Sequence, residues 1–394
     1  MEDFIYSTPT KVYFGKDKEN LVGEIVAAYS PKKVLLHYGQ GSVIRSGLLG
    51  RVKKSLEEHS IAYVELGGVA PNPTLEMVRQ GIALCQSEGV DFVLAVGGGS
   101  VLDSAKDIAN GVANPEDDVW DYTLGRKKPA KTLRKGAILT LSAAGSEMSD
   151  SAVITNSETH YKSGYNSPCN RFDFAIENPE LTYSVSPYQT ACGAVDIAMH
   201  TMERYFSKGG SSELTDSIAE AVVTTIIQMG RRCVENPFDE EARADMMWAS
   251  SLAHNGLTGC GRLLTMPVHQ LEHELSGLYP SISHGAGLAA LWPSWARKVY
   301  PYAKDRFIKF ARHIWHIETT DEEKAILEAI KAQEDYYLSI GMPISLPPLG
   351  VAKEDLPKLA LACSRNKTRV IDGYLPLGYE EMLEIYEAAF GNDR

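Results

Sequence analysis

Short apolar runs alternate with helical patterns through the first half of the chain. The runs KKVLLHYG, IAYVEL, FVLAVGGG and GAILTL are each predicted to be a strand, and the segments between them carry apolar residues at helical spacing. Strands that are apolar throughout, rather than at every second residue, are typical of parallel sheets covered by helices on both faces. The sequence therefore predicts an α/β fold with a parallel sheet, and SAVIT and FDFAIENP are predicted to be further strands.

Helical patterns dominate the second half. After TYSVSP nearly every segment has apolar residues at helical spacing, as in SIAEAVVTTIIQMG and RFIKFARHIW. In the first half, SVIRSGLLGRVKKSLEEHS is predicted as one helix, and NPTLEMVRQGIALCQSEG as another with Pro73 near its start and Gly89 at its end. We predict an α/β domain over residues 1–186 and an all-α domain over residues 187–394.

The composition excludes several classes of protein. A formal charge of -12 argues against nucleic acid or an anionic membrane as the main partner. No apolar run approaches the roughly 18 residues that a membrane-spanning helix needs, and MEDFIYSTPTKVYFG lacks the apolar core of a secretory signal. The 6 cysteines lie far apart without a CxxC pair. They are predicted to be core residues of a reduced, cytoplasmic protein.

Two glycine-rich turns follow predicted strands. GGGS at Gly97–Ser100 opens a helix that Ser100 can cap, and backbone amides at a helix N-terminus attract phosphate. A tight strand-to-helix turn without a ligand is the alternative, because the motif is not GxGxxG. GQGS at Gly39–Ser42 lacks the acid that would bind a ribose 2'-hydroxyl, while Gln40 and Ser42 can donate hydrogen bonds and Arg45 follows. This turn favours NADP over NAD.

Imidazole and carboxylate side chains are concentrated in the helical half. Asp196 and His200 are four residues apart, as are His269 and His273, so each pair shares a helix face; His284 follows in a loop. These side chains are the ligands that divalent transition metals prefer, and an unpaired Asp196 would be costly to bury. The pattern predicts a metal site in which one of the three histidines from Pro267 to Gly287 can be free. Hydrogen-bonded pairs on a helix surface are the alternative.

In combination these segments resemble the iron-containing (group III) alcohol dehydrogenases, and among them the butanol dehydrogenase-like aldehyde reductases. The resemblance covers nearly the full length. It is carried by PTKVYFG, GGGSVLDSAK, LTLSAAGSEMS, AIENPELTYSVSP, GAVDIAMHTMERY and HQLEHELSGLYPSISHGAGLA. This chain has TLSAAGSE where the family more usually has TTAGTGSE. The form found here is a feature of the butanol dehydrogenase-like members. The resemblance implies a dehydroquinate synthase-like, dinucleotide-binding domain over residues 1–186, followed by a helical, metal-binding domain over residues 187–394.

The resemblance also implies a role for each matching residue. The four metal ligands would be Asp196, His200, His269 and His284. His273 would lie near the nicotinamide, outside the metal's ligands, and serve the reaction or its proton path. The implied cofactor-binding residues are Gly39, Gln40, Gly41 and Ser42 at the adenosine end, Gly97, Gly98, Gly99, Ser100 and Asp103 around the pyrophosphate, and Thr140, Ser142, Ser149 and Lys162 near the nicotinamide.

The implied reaction is reversible hydride transfer between NAD(P)H and a short- to medium-chain aldehyde such as butanal, in a homodimer. Fe(II) is the expected ion, with Zn(II), Ni(II) and Mn(II) as alternatives that the same ligands accept. No Arg or Lys lies between Pro267 and Ala296, which disfavours an acidic or phosphorylated substrate. Two other functions stay open: a polyol dehydrogenase of the glycerol type, and a metal- and nucleotide-binding protein without catalysis.

Overall fold

A computed structural model describes residues 1–159, 161–210 and 212–391. The chain forms two compact units. The N-terminal unit comprises Ser7–Val185 and Phe238–Ser251, and the C-terminal unit comprises Met1–Tyr6, Ser186–Pro237 and Leu252–Arg394. The end of the predicted second domain, residues 392–394, lies outside the described residues. The chain passes from one unit to the other at Ser186, and two shorter segments are exchanged between the units.

The N-terminal unit is built on a parallel sheet. Its strands and those of a separate hairpin are β1 (Lys11–Phe14), β2 (Val34–Gly39), β3 (Tyr63–Val69), β4 (Phe92–Gly97), β5 (Arg134–Leu139), β6 (Ser151–Asn156), β7 (Tyr161–Asn166) and β8 (Phe174–Glu177). The 6-stranded sheet has the order β1-β8-β5-β4-β2-β3 with every pair parallel, and β6 pairs with β7 in antiparallel fashion. The predicted parallel sheet is confirmed. β1 and β7 were not predicted, because one is short and the other is mostly polar.

Apolar residues on both faces of the sheet explain its continuous hydrophobic runs. Leu35 belongs to one buried cluster and Leu36 to another, since successive side chains of a strand point to opposite faces. The helices of this region are α1 (Val22–Ala27), α2 (Ser42–Arg45), α3 (Leu48–Glu58), α4 (Leu75–Glu88), α5 (Gly99–Ala113) and α6 (Trp120–Thr123). α1 and α3 cover the Leu36 face, whereas α4 and α5 cover the Leu35 face.

Two predictions about helix ends can be compared with the structure. The single helix predicted from Ser42 is wrong: Gly47 adopts a left-handed φ of 73° and separates α2 from α3. The predicted ends of α4 are confirmed, because the helix follows Pro73 directly after its N-cap Thr74 and stops at Gly89, whose φ is 68°.

The C-terminal unit is helical, as predicted. The remaining α-helices among the described residues are α7 (Pro187–Tyr205), α8 (Glu213–Glu235), α9 (Glu240–His254), α10 (Pro267–Leu278), α11 (His284–Val299), α12 (Lys304–Lys309), α13 (Glu322–Ser339), α14 (Leu356–Cys363) and α15 (Tyr379–Phe390). Of these, α9 belongs mostly to the N-terminal unit. α7 is buried from Thr190 to Tyr205, so it is the central helix of the unit. None of the described helices has the length and apolarity that crossing a bilayer requires.

Candidate active site

The buried helix α7 carries the only carboxylate that was predicted to bind metal. Ser186 caps this helix by accepting a hydrogen bond from the amide of Gln189, and Pro187 occupies its first position. Asp196 and His200 then lie one turn apart and are only 5% and 4% exposed. The Nδ1 of His200 is 2.9 Å from the Asp196 backbone oxygen and 3.1 Å from Asp196 Oδ1. The pair predicted to share a helix face therefore also shares a buried position.

Two histidines from other helices converge on the same carboxylate oxygen. His269 on α10 places its Nε2 3.5 Å from Asp196 Oδ1, and His284, the first residue of α11, places its Nε2 3.7 Å from it. Asp196, His200 and His269 offer ligand atoms that all lie within 4.8 Å of one another. The structure thus brings together the four residues predicted as metal ligands.

A glycine allows α11 to approach α7 closely enough for this convergence. A Cβ atom on Gly285 would lie 2.2 Å from the backbone oxygen of Cys192, which is closer than any side chain tolerates. Because Gly285 immediately follows His284, the close helix contact holds the histidine at the end of α11 that faces Asp196. Gly285 in the sequence SHGAG is therefore required by the close contact between two helices rather than by a turn.

The electrostatics of the cluster suit a cation. Burial disfavours the charged form of His269, but the carboxylates of Glu203 and Asp196 outweigh it and raise the pKa of this imidazole to about 9. Burial lowers the pKa of His200 to about 4. Asp196 Oδ1 and His269 Nε2 are both buried, and neither atom makes a hydrogen bond with a described residue. A divalent ion between these two atoms would replace a proton on the imidazole, since metal binding to histidine releases protons. The residues therefore fit such an ion.

His273 lies at the edge of this cluster rather than inside it. Its ring centroid is 5.6 Å from that of His284 and 6.4 Å from that of His269. It is half-buried and belongs to a second group of close side chains with Glu272 and His284. One residue that sequence reasoning missed is His254, the last residue of α9, whose ring lies 3.9 Å from that of His200. The isolated histidine in SSLAHNG gave no sequence signal for this contact.

The two glycine-rich turns lie side by side at the carboxyl edge of the sheet, because β2 and β4 are neighbours. Gly39 ends β2 and Ser42 begins α2; Gly97 ends β4. The predicted cap at Ser100 is wrong: Gly98 is the N-cap of α5, and Ser100 lies within its first turn. The helix therefore begins with glycine amides and without a side-chain cap. A Cβ on Gly41 would lie 2.7 Å from Arg45 Nη1, so the guanidinium lies over the β2 turn.

Asp103, predicted beside the pyrophosphate, is tied to neighbouring segments of the unit. Its Oδ1 accepts from Ser146 Oγ at 2.5 Å, and its Oδ2 accepts from the Val153 amide at 3.1 Å. The buried Lys106 joins the same network by donating to Ser146 Oγ at 2.7 Å and Ser149 Oγ at 3.3 Å. These bonds connect α5 to the loop after β5. Lys106 was also missed from the sequence.

The residues predicted near the nicotinamide have different surroundings. Thr140 donates its backbone amide to Gly97 at 3.0 Å, which joins the loop after β5 to the GGGS turn. The Oγ of Ser142 is buried and has no hydrogen-bond partner within the described ranges, whereas Ser149 Oγ accepts from the amide of Ser151 at 3.2 Å. Lys162 is buried on β7, opposite Thr155. Ser142 is therefore the hydroxyl of this set best suited to receive a ligand.

Two buried carboxyl groups in the N-terminal unit share one hydroxyl. Ser251 Oγ lies 2.6 Å from Glu147 Oε1 and 2.9 Å from Glu177 Oε1. A hydroxyl carries a single hydrogen and can donate to only one of them, so the other carboxyl must supply a hydrogen of its own. Burial raises the pKa of both groups, and the charge of Glu147 raises the pKa of Glu177 further. We infer that Glu177 is the protonated partner.

Replacing Glu177 by Gln is expected to stabilise the protein at alkaline pH. A carboxyl whose pKa rises on folding contributes stability below its ordinary value of 4.5, and this contribution is lost as the pH rises through the folded value. Gln keeps its hydrogens at every pH. The melting temperature of Glu177→Gln should therefore exceed that of wild type by a margin that grows as the pH rises above about 5. The exposed Glu88→Gln is the control, and a pH-independent difference for Glu177→Gln would refute the inference.

Comparisons with known proteins show the family of the chain. The model of the iron-containing alcohol dehydrogenase family matches residues 9–179, and that of the Fe-containing alcohol dehydrogenase family, C-terminal, matches residues 190–390. The chain is 41% identical to NADH-dependent butanol dehydrogenase A of Clostridium acetobutylicum, covering 99% of this chain and 100% of that one. It is 32% identical to the NADPH-dependent aldehyde reductase YqhD of Escherichia coli, covering 99% and 100%.

A solved structure extends the similarity to the fold. The crystal structure of NADH-dependent butanol dehydrogenase A from Thermotoga maritima matches with a TM-score of 0.95 and 38% identity, covering 99% of each chain. The predicted family, fold class and enzyme class are confirmed. The chain belongs to the iron-containing alcohol dehydrogenase family and is an NAD(P)-dependent oxidoreductase of the alcohol dehydrogenase and aldehyde reductase type.

Proposed function

We propose that the protein reduces short- and medium-chain aldehydes to primary alcohols with NADPH, and that Asp196, His200, His269 and His284 hold a divalent ion, Fe(II), for this reaction. The observation that carries the proposal is the approach of two imidazole Nε2 atoms from α10 and α11 to one buried carboxylate oxygen on α7. When bound, such an ion polarises a carbonyl oxygen as a Lewis acid. Asp196 supplies the negative charge that draws the ion into a buried position.

We assign the proton path to His273. It lies one helical turn after His269 on α10, so it shares the face of the helix that carries a ligand. Its ring is half-buried beside His284, and an imidazole can gain and lose a proton near neutral pH. In aldehyde reduction, the alcohol oxygen gains a proton while the carbonyl carbon gains a hydride. His273 would deliver that proton without binding the metal itself.

The dinucleotide is assigned to residues 1–186. Amides at the start of the 15-residue helix α5 would receive the pyrophosphate, as helix N-termini commonly receive phosphate groups. Gln40, Ser42 and Arg45 would receive the adenosine ribose. The relatives' names include NADH-dependent and NADPH-dependent enzymes, so both coenzymes occur in the family. A guanidinium over a turn that lacks an acid favours the 2'-phosphate of NADPH here.

We also propose a cytoplasmic homodimer. Exposed apolar side chains near the N-terminus, such as Phe4 and the 98% exposed Ile5, suit contact with a second copy. All 6 cysteines are unpaired, as expected in a reducing compartment. Sedimentation equilibrium that returns the monomer mass at micromolar concentration would refute the dimer.

The substrate proposal rests on the charge and apolarity around α10. Between Pro267 and Ala296 the chain has no Lys or Arg, and the charges of Arg365 and Arg369 already act on the carboxyl of Glu274 on α10. A carboxylate or phosphate on the substrate would therefore lack a partner. The fully buried Leu271, Leu275, Leu288 and Trp292 belong to the core, which leaves Leu278 and Tyr279 as half-buried candidates to contact the substrate chain.

We expect kcat/KM to rise from acetaldehyde to butanal. Each methylene group that leaves water contributes about 0.8 kcal/mol, or roughly fourfold. NADPH oxidation measured with a series of C2 to C8 aldehydes tests this, with glycerol oxidation measured alongside and a carboxylate-bearing aldehyde of matched length as control. The charged aldehyde should react far more slowly than its neutral counterpart. A series that is flat with chain length, or a preference for glycerol or for the acidic aldehyde, would contradict the proposal.

A further inference from the structure

Two buried glutamates lie behind two of the histidines at the candidate metal site. Glu203 on α7 contacts His269 through Oε2 and the imidazole Nδ1. Glu272 on α10 contacts His284 in the same way. Both glutamates are almost completely buried, at 1% and 0% exposure. Each contact is made by the ring nitrogen that points away from Asp196, so the two carboxylates lie outside the group that would touch an ion.

Glu203 orients His269 through the backbone as well as through the ring. It follows Asp196 by seven residues on α7, two helical turns, and therefore shares its face. Its carboxylate accepts hydrogen bonds from the amide of Val268 at 2.5 Å and from the amide of His269 at 3.1 Å. These amides belong to the first turn of α10, where no helical partner exists for them. Glu203 thus caps α10 and orients a side chain of the same turn.

Glu272 is held in place by the close contact between α10 and α11. A Cβ atom on Gly287 would lie 2.8 Å from Glu272 Cγ, so only glycine leaves room for the glutamate side chain. His284 begins α11 three residues earlier, and its side chain is 25% exposed, compared with 7% for His269. His284 is thus the less buried of the two imidazoles. Its contact with Glu272 is therefore a main restraint on its ring.

We propose that Glu203 and Glu272 are positioning residues that set the tautomer and orientation of His269 and His284 for metal binding; this rests on the proposed metal site. An ionised carboxylate can only accept a hydrogen bond, so each imidazole carries its hydrogen on Nδ1 and presents the Nε2 lone pair toward Asp196. His200 needs no such partner, because the backbone oxygen of Asp196 already accepts from its Nδ1. The ligand set therefore depends on three carboxylates, of which one would touch the ion.

The two glutamates are expected to differ in what their loss affects. Glu203 also caps a helix, so Glu203→Gln should lower both the melting temperature and the metal affinity. Glu272 contacts one ring at a helix end, so Glu272→Gln should lower the affinity with a smaller change in melting temperature. Loss of an outer partner of a metal-bound histidine typically weakens binding by about 10- to 100-fold.

The test uses the full-length chain freed of metal and titrated with Co(II) in competition with a chromophoric chelator. The visible absorption of bound Co(II) reports the geometry of its ligands. Replacing a glutamate that has a purely structural role would leave this spectrum unchanged. Glu334→Gln is the matched control, because Glu334 is a buried glutamate of the same unit that pairs with Arg297 at 2.7 Å. It should lower the melting temperature and leave the Co(II) dissociation constant and spectrum unchanged.

Weaker Co(II) binding with an altered spectrum in Glu272→Gln, and in Glu203→Gln if it folds, supports the proposal. Wild-type affinity and spectrum in both variants would overturn it. If only Glu203→Gln fails to fold, Glu272→Gln decides the matter alone. A folded wild-type protein that binds no Co(II) would instead refute the metal site of the proposed function, which is a separate result.

Discussion

Asp196→Ala and His269→Ala are each expected to lose the bound divalent ion and more than about 100-fold in kcat/KM, since loss of an outer partner alone costs about 10- to 100-fold. Both Nε2 atoms, of His269 and of His284, approach the Asp196 carboxylate, at 3.5 and 3.7 Å. Without it, the remaining ligands would be neutral imidazoles in a buried site. Metal analysis of anaerobically purified protein, together with NADPH oxidation on butanal, measures both effects.

His273→Ala is the matched control for these variants. It removes an imidazole from the same helix, but one whose ring is farther from His269 than the ring of His284 is. It should retain the ion at the wild-type level while turnover falls, because the proton path is lost. If His273→Ala empties the site and His284→Ala leaves it full, the assignment of these two histidines is wrong. His273 would then be a ligand of the ion and His284 would not.

Gln40→Asp is expected to shift coenzyme preference from NADPH toward NADH. The substitution places a carboxylate in the turn after β2, where the ribose 2'-phosphate of NADPH would lie close to Arg45. Like charges in a partly desolvated site cost on the order of 1–3 kcal/mol, which corresponds to about 5- to 150-fold in kcat/KM. The same carboxylate can accept a hydrogen bond from the 2'-hydroxyl of NADH. The ratio of kcat/KM for the two coenzymes, measured with one aldehyde, reports the shift.

Gln40→Asn is the control for this experiment. It shortens the side chain as Asp does but adds no charge, so its coenzyme ratio should remain close to that of wild type. A wild-type kcat/KM with NADH that equals or exceeds the value with NADPH would refute the assignment of the turn. An unchanged coenzyme ratio in Gln40→Asp would refute it too. Several relatives are named as NADH-dependent, which makes the wild-type measurement decisive by itself.

Local patterns in the sequence predicted five of the six strands of the parallel sheet and one half of the candidate metal cluster. Runs such as FVLAV are apolar at every position because both faces of β4 are covered, and this can be read without knowing which helix covers which face. Asp196 and His200 are one helical turn apart, so helix geometry alone places them together. The family follows from several motifs in combination, and the comparisons confirm it.

Contacts between distant segments were decided only by the tertiary structure. Glu203 and His269 are 66 residues apart, and no periodicity relates α7 to α10. Ser142 and Ser149 both lie in the segment after β5. Lys106 on α5 donates a hydrogen bond to Ser149 Oγ, whereas Ser142 Oγ has no partner among the described residues. His254 reaches His200 because α9 ends beside α7. Spacing along one helix specifies which side chains share a face of that helix. The residues that contact this face from another helix depend on how whole helices pack, through close approaches such as that at Gly285.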